Sequence, residues 1–143
     1  MNTIVSKRFF SENVAEIVVE APLIARSRRA GHFVIVRVDK NGERMPLTIA
    51  DADVEKGTIT LVVQRIGVSS SKLCALEPGD QVADLVGPLG KATDIKNFGT
   101  VVCACGGVGA APMLPIAKAL KASGNRVVTV LAARTAELII LKE

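Results

Sequence analysis

The chain has no tryptophan, no tyrosine and a single histidine, and its 143 residues include only three cysteines and four phenylalanines. Without Tyr or Trp there is no platform on which bases could stack. The small basic excess, 18 Lys and Arg against 14 Asp and Glu, therefore argues for solvated faces rather than nucleic acid. Its local clusters, Lys7-Arg8 and Arg26 with Arg28-Arg29, read the same way. An odd, small number of cysteines makes no disulfide scaffold, so a cytoplasmic setting is expected. His32 precedes an apolar run and has no ligand or nucleophile at useful spacing, and no Ser/His/Asp, Cys/His or paired-carboxylate set can be assembled. Cys103 and Cys105 alternate with Val102 and Ala104, as core residues on one face of a strand do. The start, MNTIVSKRFF, has no apolar run of signal-peptide length. The stretch 97–117 carries no charge, but its four Gly and two Pro interrupt any membrane-spanning helix, so no membrane is expected.

What is present is a 49% hydrophobic, 22% charged chain, too apolar for disorder and long enough for a buried core. Its grammar changes near residue 95. Before it, β-type runs cover 3–10, 15–20, 33–38, 44–50, 58–65 and 81–86, with a short helix at 69–76. Turn signals separate them at Lys40-Asn41-Gly42, Lys56-Gly57 and Glu77-Pro78-Gly79-Asp80. After it comes an apolar strand at 100–105, a glycine loop, a helix at 111–123, a second apolar strand at 126–133 and a helix start at 136–141. These observations predict an all-β antiparallel barrel or sandwich followed by a partial α/β nucleotide-binding domain, divided as 1–96 and 97–143, with the boundary in 91–98. A two-stranded parallel sheet should leave one apolar face uncovered.

Three segments carry chemistry. Gly106-Gly107-Val108-Gly109-Ala110-Ala111-Pro112 lies between a strand and a helix, where free N–H groups and the helix dipole favour a phosphate. Arg44-Met45-Pro46-Leu47-Thr48-Ile49 puts a planar cation at the start of a β-run that Pro46 interrupts, so backbone groups of 47–49 could meet a flat, polar-edged ligand. Gly67-Val68-Ser69-Ser70-Ser71 opens the short helix with small hydroxyl residues, a second anion pocket. Two phosphate sites suggest two nucleotides held close together. With no side-chain catalyst to assemble, the cofactors carry the chemistry.

These segments, taken in chain order, with Ala30-Gly31-His32-Phe33-Val34 before them and Gly87-Pro88-Leu89-Gly90 between residues 67–71 and the glycine loop at 106–112, resemble the ferredoxin–NADP reductase superfamily. The resemblance is strongest to the branch of dihydroorotate dehydrogenase electron-transfer subunits and the small subunits of NADH-dependent ferredoxin:NADP oxidoreductases. It implies a barrel that binds FAD and a domain that binds NAD(P)H. Arg44 would bind the FAD pyrophosphate, and Pro46, Leu47, Thr48 and Ile49 would line the isoalloxazine and ribityl chain. Gly67, Ser69 and Ser70 would hold the pyrophosphate at the short helix. Gly107, Val108, Gly109 and Pro112 would face the nicotinamide dinucleotide. Hydride would pass to flavin N5, and electrons would leave singly to an iron–sulfur centre or a larger flavoprotein or catalytic subunit in a hetero-oligomer.

The chain departs from that family in three respects. Pro46-Leu47 stands where many members have Tyr-Ser, so packing on the flavin must be aliphatic. His32 stands where Gln is usual. The remaining strands of the dinucleotide domain and the cysteines of the branch's [2Fe–2S] centre are not in this sequence, and Cys74, Cys103 and Cys105 have the wrong spacing. The resemblance thus implies the N-terminal part of a longer oxidoreductase, inactive by itself. The competing expectation is a non-catalytic β-barrel serving as a binding or assembly module.

Overall fold

The computed structural model describes residues 2–142; Met1 and Glu143, the outer limits of the two expected domains, lie outside the described residues. Apolar side chains alternate along β1 (Asn2–Ser11), β2 (Val14–Glu20), β3 (Phe33–Arg37), β4 (Met45–Asp53) and β5 (Thr58–Gln64), and the inward set is sealed from water. Ile17, Val19, Val34, Val36, Ile49, Ile59, Leu61, Val63 and Leu73 are each at most 1% exposed. Burial of a side chain of this kind is worth roughly 1.5–3 kcal/mol. The short helix α2 (Val68–Ala75) supplies Leu73 and Cys74 to this core.

The last expected β-run is two strands. Ala83 leaves the ladder to donate its N–H to the Val38 carbonyl (3.1 Å), which divides the run into β6 (Gln81–Val82) and β7 (Asp84–Leu89). The seven antiparallel strands are ordered β6-β1-β2-β5-β4-β3-β7. One residue separates β6 from β7, so the two ends of the sheet meet and the barrel nearly closes. A second departure is α1 (Pro22–Ser27), in a region where the sequence suggests no element. Pro22 opens it, and Ile24 and Ala25 pack into the barrel core.

The second unit follows the predicted order. β8 (Thr100–Gly106) and β9 (Arg126–Ala132) pair in parallel, from Thr100↔Arg126 to Gly106↔Ala132, and α3 (Ala110–Ala122) crosses between them. α3 covers the face that holds Cys103. On the opposite face Val102, Val128 and Val130 are 63%, 40% and 50% exposed, as a two-stranded parallel sheet requires. Residues 91–98 form no helix or strand, and Asn125 ties them to the end of α3. Its Oδ1 accepts from the Phe98 N–H (2.7 Å), and its Nδ2 donates to the Lys96 and Leu120 carbonyls (2.9 and 2.8 Å). Instead of the expected helix start at 136–141, a single 3-10 turn covers Ala136–Leu138. Ile140 then turns back to bury itself with Val14 and Ala110. No helix among the described residues is long and apolar enough to cross a membrane.

Candidate nucleotide-binding site

β4 changes partners along its length. Met45–Thr48 pair with β3, whereas the ladder with β5 runs only from Ile49↔Leu61 to Asp53↔Thr58. Val62–Gln64 of β5 pair with β2 alone. The barrel wall is therefore parted between residues 45–48 and 62–64, and both strands present backbone N–H and C=O groups that no ladder uses. Pro46 has no N–H to give to a ladder, and a register slip between Ile49 and Asp51 marks where pairing with β5 begins. Pro46 is exposed, and Leu47 and Thr48 are half-buried, at this opening. Ile49 is turned the other way: its side chain is in the core and its N–H donates to the His32 carbonyl (3.2 Å), so its side chain lines no ligand surface. His32 is likewise structural. Its Nδ1 accepts from the Arg29 N–H (3.0 Å).

Arg44 stands at the rim of this opening, where its Nη1 donates to Asp84 Oδ2 (2.7 Å). One of five guanidinium donors is thereby used and the side chain is oriented, leaving the rest of the fork for an anion. The start of α2 lies across from it, tied by Ser69 Oγ donating to Glu43 Oε2 (3.1 Å) and by Lys72 Nζ donating to Asp39 Oδ2 (2.8 Å). That lysine hydrogen bond holds the Asp39 carboxyl below its ordinary pKa. The first intrahelical bond of α2 is Ser71 N–H to Gly67 O (2.9 Å), so the amides before it point out of the helix start.

The two serines differ in role. Ser70 Oγ accepts from the Ile66 and Gly67 N–H groups (3.1 and 3.0 Å) and donates to the Gly67 carbonyl (3.1 Å), so its hydroxyl is consumed within the chain. It caps the helix; Ser69 faces the groove. A Cβ built on Gly67 meets nothing within 4 Å, so the space beside it is open to a ligand. The donor set here, one cation, one hydroxyl, a row of helix-start amides and an unpaired strand edge, fits the pyrophosphate and flat ring of a flavin dinucleotide.

The glycine loop leaves β8 as a 3-10 turn over Gly107–Gly109 and enters α3 at Ala110. Gly107 has φ +54, a conformation that favours glycine, and nothing within 4 Å of a built Cβ. Gly106, Gly107 and Val108 line a cleft of about 830 Å³, together with Ala132–Arg134 from the end of β9 and Ser11–Val14 and Gln64 from the barrel. Gly109 and Pro112 do not line it; they set the entry of α3. Val108 packs in the small apolar cluster that also holds Val14 and Val62. The glycine loop thus rests against β5 at the stretch where β4 has left it.

A family model for the oxidoreductase FAD-binding domain matches residues 2–93. The chain belongs to this family. A dihydroorotate dehydrogenase B (NAD(+)) electron transfer subunit homolog of Thermotoga maritima is 42% identical over 141 residues, which cover 99% of this chain and 50% of that protein. The dihydroorotate dehydrogenase B (NAD(+)) electron transfer subunit of Bacillus caldolyticus is 29% identical over 99% of this chain and 57% of its own length. A solved structure of an NADH-dependent reduced ferredoxin-NADP oxidoreductase superposes with a TM-score of 0.97 at 42% identity, over 99% of this chain and 52% of that one. Phthalate dioxygenase reductase, at 24% identity and a TM-score of 0.80, shares the fold. The chain spans about half the length of the curated relatives it matches.

Arg44 precedes, and Pro46, Leu47 and Thr48 lie along, the stretch of β4 that has left β5; Gly67 and Ser69 open α2, which Ser69 ties to Glu43; Gly107 and Val108 line the cleft at the glycine loop. Asp84 and Glu43, which orient Arg44 and Ser69, carry no sequence signal, because each acts on a residue 40 or 26 positions away. The iron–sulfur centre that the resemblance implies is expected in longer members of the family and not on the cysteines of this sequence. No group of three or more His, Cys, Asp or Glu among the described residues could hold a metal, and Cys74 lies in the barrel core, apart from Cys103 and Cys105.

Proposed function

We propose that the barrel, residues 1–96, binds FAD and that residues 97–143 begin the domain that binds a nicotinamide dinucleotide, in an electron-transfer subunit of a larger cytoplasmic oxidoreductase. Bound flavin would supply exchange between two-electron and one-electron chemistry. Arg44, oriented by Asp84, and Ser69 with the amides at the start of α2 bind the pyrophosphate. The backbone of Met45–Thr48 faces the polar edge of the ring, and Leu47 with Pro46 packs against its apolar part. Gly106–Val108 hold the second dinucleotide. The cytoplasmic setting rests on three free thiols. Electrons would pass onward to an iron–sulfur centre or a catalytic partner subunit.

The observation that carries this reading is the shared packing of Val108 and Val62. It sets the glycine loop directly against the parted stretch of β5, so two nucleotides would sit within one wall of each other. Titration of the chain with FAD, followed by flavin absorbance and fluorescence, tests it. Micromolar or tighter binding is expected, weakened about tenfold or more in Arg44→Ala, since a hydrogen bond to a charged group is worth roughly 1.5–3 kcal/mol. A folded chain that takes up no FAD at micromolar concentration overturns the reading.

A further inference from the structure

The dinucleotide cleft has a second wall that belongs to the barrel. β1 and β2 are joined by the two-residue turn Glu12-Asn13, closed by Ser11↔Val14, and a register slip between Phe9 and Ser11 redirects its tip. The Asn13 carbonyl accepts from the Arg65 N–H (2.7 Å), which fixes the turn to the end of β5. Ser11, Glu12 and Asn13 thereby line the same cleft as Gly106–Val108. Ser11 Oγ is buried without a hydrogen-bond partner, and the side chains of Glu12 and Asn13 have none among the described residues. Ser11 Oγ is thus an orphaned buried polar atom on this cavity, and the exposed Glu12 and Asn13 side chains beside it are uncommitted.

Their charges are informative. In a βαβ dinucleotide site a carboxylate near the end of the second strand commonly accepts from the ribose hydroxyls. Here β9 ends at Ala132 and is followed by Ala133-Arg134, and the acidic side chain lining the cleft is Glu12. We infer that the Glu12 carboxylate, carried on the barrel turn, accepts hydrogen bonds from a ribose diol of the dinucleotide bound at Gly106–Val108, and that it disfavours a phosphorylated ribose there. Arg134, on the facing wall, serves the phosphates. The turn makes dinucleotide selectivity a property of the barrel as well as of the glycine loop. This inference rests on the proposed dinucleotide site.

Equilibrium binding of NADH and of NADPH to the chain, Glu12→Gln and Gly106→Val tests it. Glu12 is exposed at a turn, and the extended backbone of Gly106 leaves a built Cβ 3.8 Å from its nearest atom, so both variants retain the fold. Glu12→Gln is expected to raise the NADH Kd about tenfold, with a smaller change for NADPH, and to leave FAD uptake and Tm unchanged. An NADH Kd within twofold of the parent overturns the role of Glu12, as does an equal loss for both nucleotides. Gly106→Val separates the two readings. If it abolishes NADH binding while Glu12→Gln has no effect, only the turn's role falls. A parent chain that binds no NADH, or a Gly106→Val chain that binds it normally, overturns the dinucleotide site and this inference with it.

Discussion

Lys118 of α3 places its Nζ 2.7 Å from Asp51 Oδ2 on β4, and the other oxygen of Asp51 lies 3.5 Å from Arg28 Nη2 beyond α1. One carboxylate thus straps the α/β unit to the barrel, beside the cavity that Ile140 also lines. With 56% of the Lys118 side chain and 39% of the Asp51 side chain exposed, solvent screens the attraction strongly. Lys118→Ala should cost under about 1 kcal/mol in urea unfolding. Asp51→Ala should cost more, because it also strands Arg28. Equal losses would mean that the Arg28 contact contributes nothing.

Gly31 carries φ +94, and a Cβ there would lie 2.5 Å from Thr93 Oγ1 and 2.9 Å from the Thr93 backbone nitrogen. Gly31→Ala should therefore destabilise the barrel by about 1–3 kcal/mol. Adding Thr93→Ser should not rescue it, since the hydroxyl, the backbone clash and the positive φ persist. Thermal unfolding of the single and double variants checks this.

Ser69 and Ser70 should separate stability from binding. Ser70→Ala leaves the Ile66 and Gly67 N–H groups without their acceptor and should cost about 1–2 kcal/mol. Ser69→Ala should leave Tm within a degree or two while weakening FAD. The reverse pattern in a paired melting and flavin titration would exchange their roles.

Asp39 should titrate below the ordinary carboxylate range because Lys72 donates to it. A folded-state pKa depressed below the unfolded value gives stability that is present above the unfolded pKa, near 3.9, and lost as pH falls through the folded one. Lys72→Ala should move the Asp39 titration upward in carbon-detected NMR and flatten the acid limb of stability. Burial acts in the other direction on Cys74, whose thiol is pushed above its ordinary value of 9.0. Any contribution from it is complete below pH 9 and lost only as pH rises through the raised value. Cys74 should accordingly resist alkylation at neutral pH until the barrel unfolds.

Much of the barrel was legible because its information is local. Ile17 and Val19, or Ile59, Leu61 and Val63, announce a strand and an inward face within a few residues, and Lys56-Gly57 announces the turn before them. Helix α1 was not legible: six residues with a single proline start carry little periodicity, and Ile24 and Ala25 are helical because the barrel offers them a core. The 3-10 turn at Ala136–Leu138 replaced a helix for a similar reason, since Ile140 gains more by burial against Val14 than by continuing a helix into solvent.

The candidate site divides in the same manner. Composition and spacing alone determined that no Ser/His/Asp or Cys/His set lies at useful spacing, where the two glycine-led loops that suggest anion sites fall, and that no tyrosine or tryptophan is there to stack on a ring. Tertiary structure decided what those loops face. It consumed the Ser70 hydroxyl, buried Ile49, oriented Arg44 through Asp84, parted β4 from β5 beside Val108, and brought Glu12 to the cleft at the glycine loop. The physical reason is distance along the chain. Propensity, turns and patterning act over a few residues and are written in sequence order. Hydrogen-bond partners, by contrast, are settled only when strands dozens of residues apart close into one barrel.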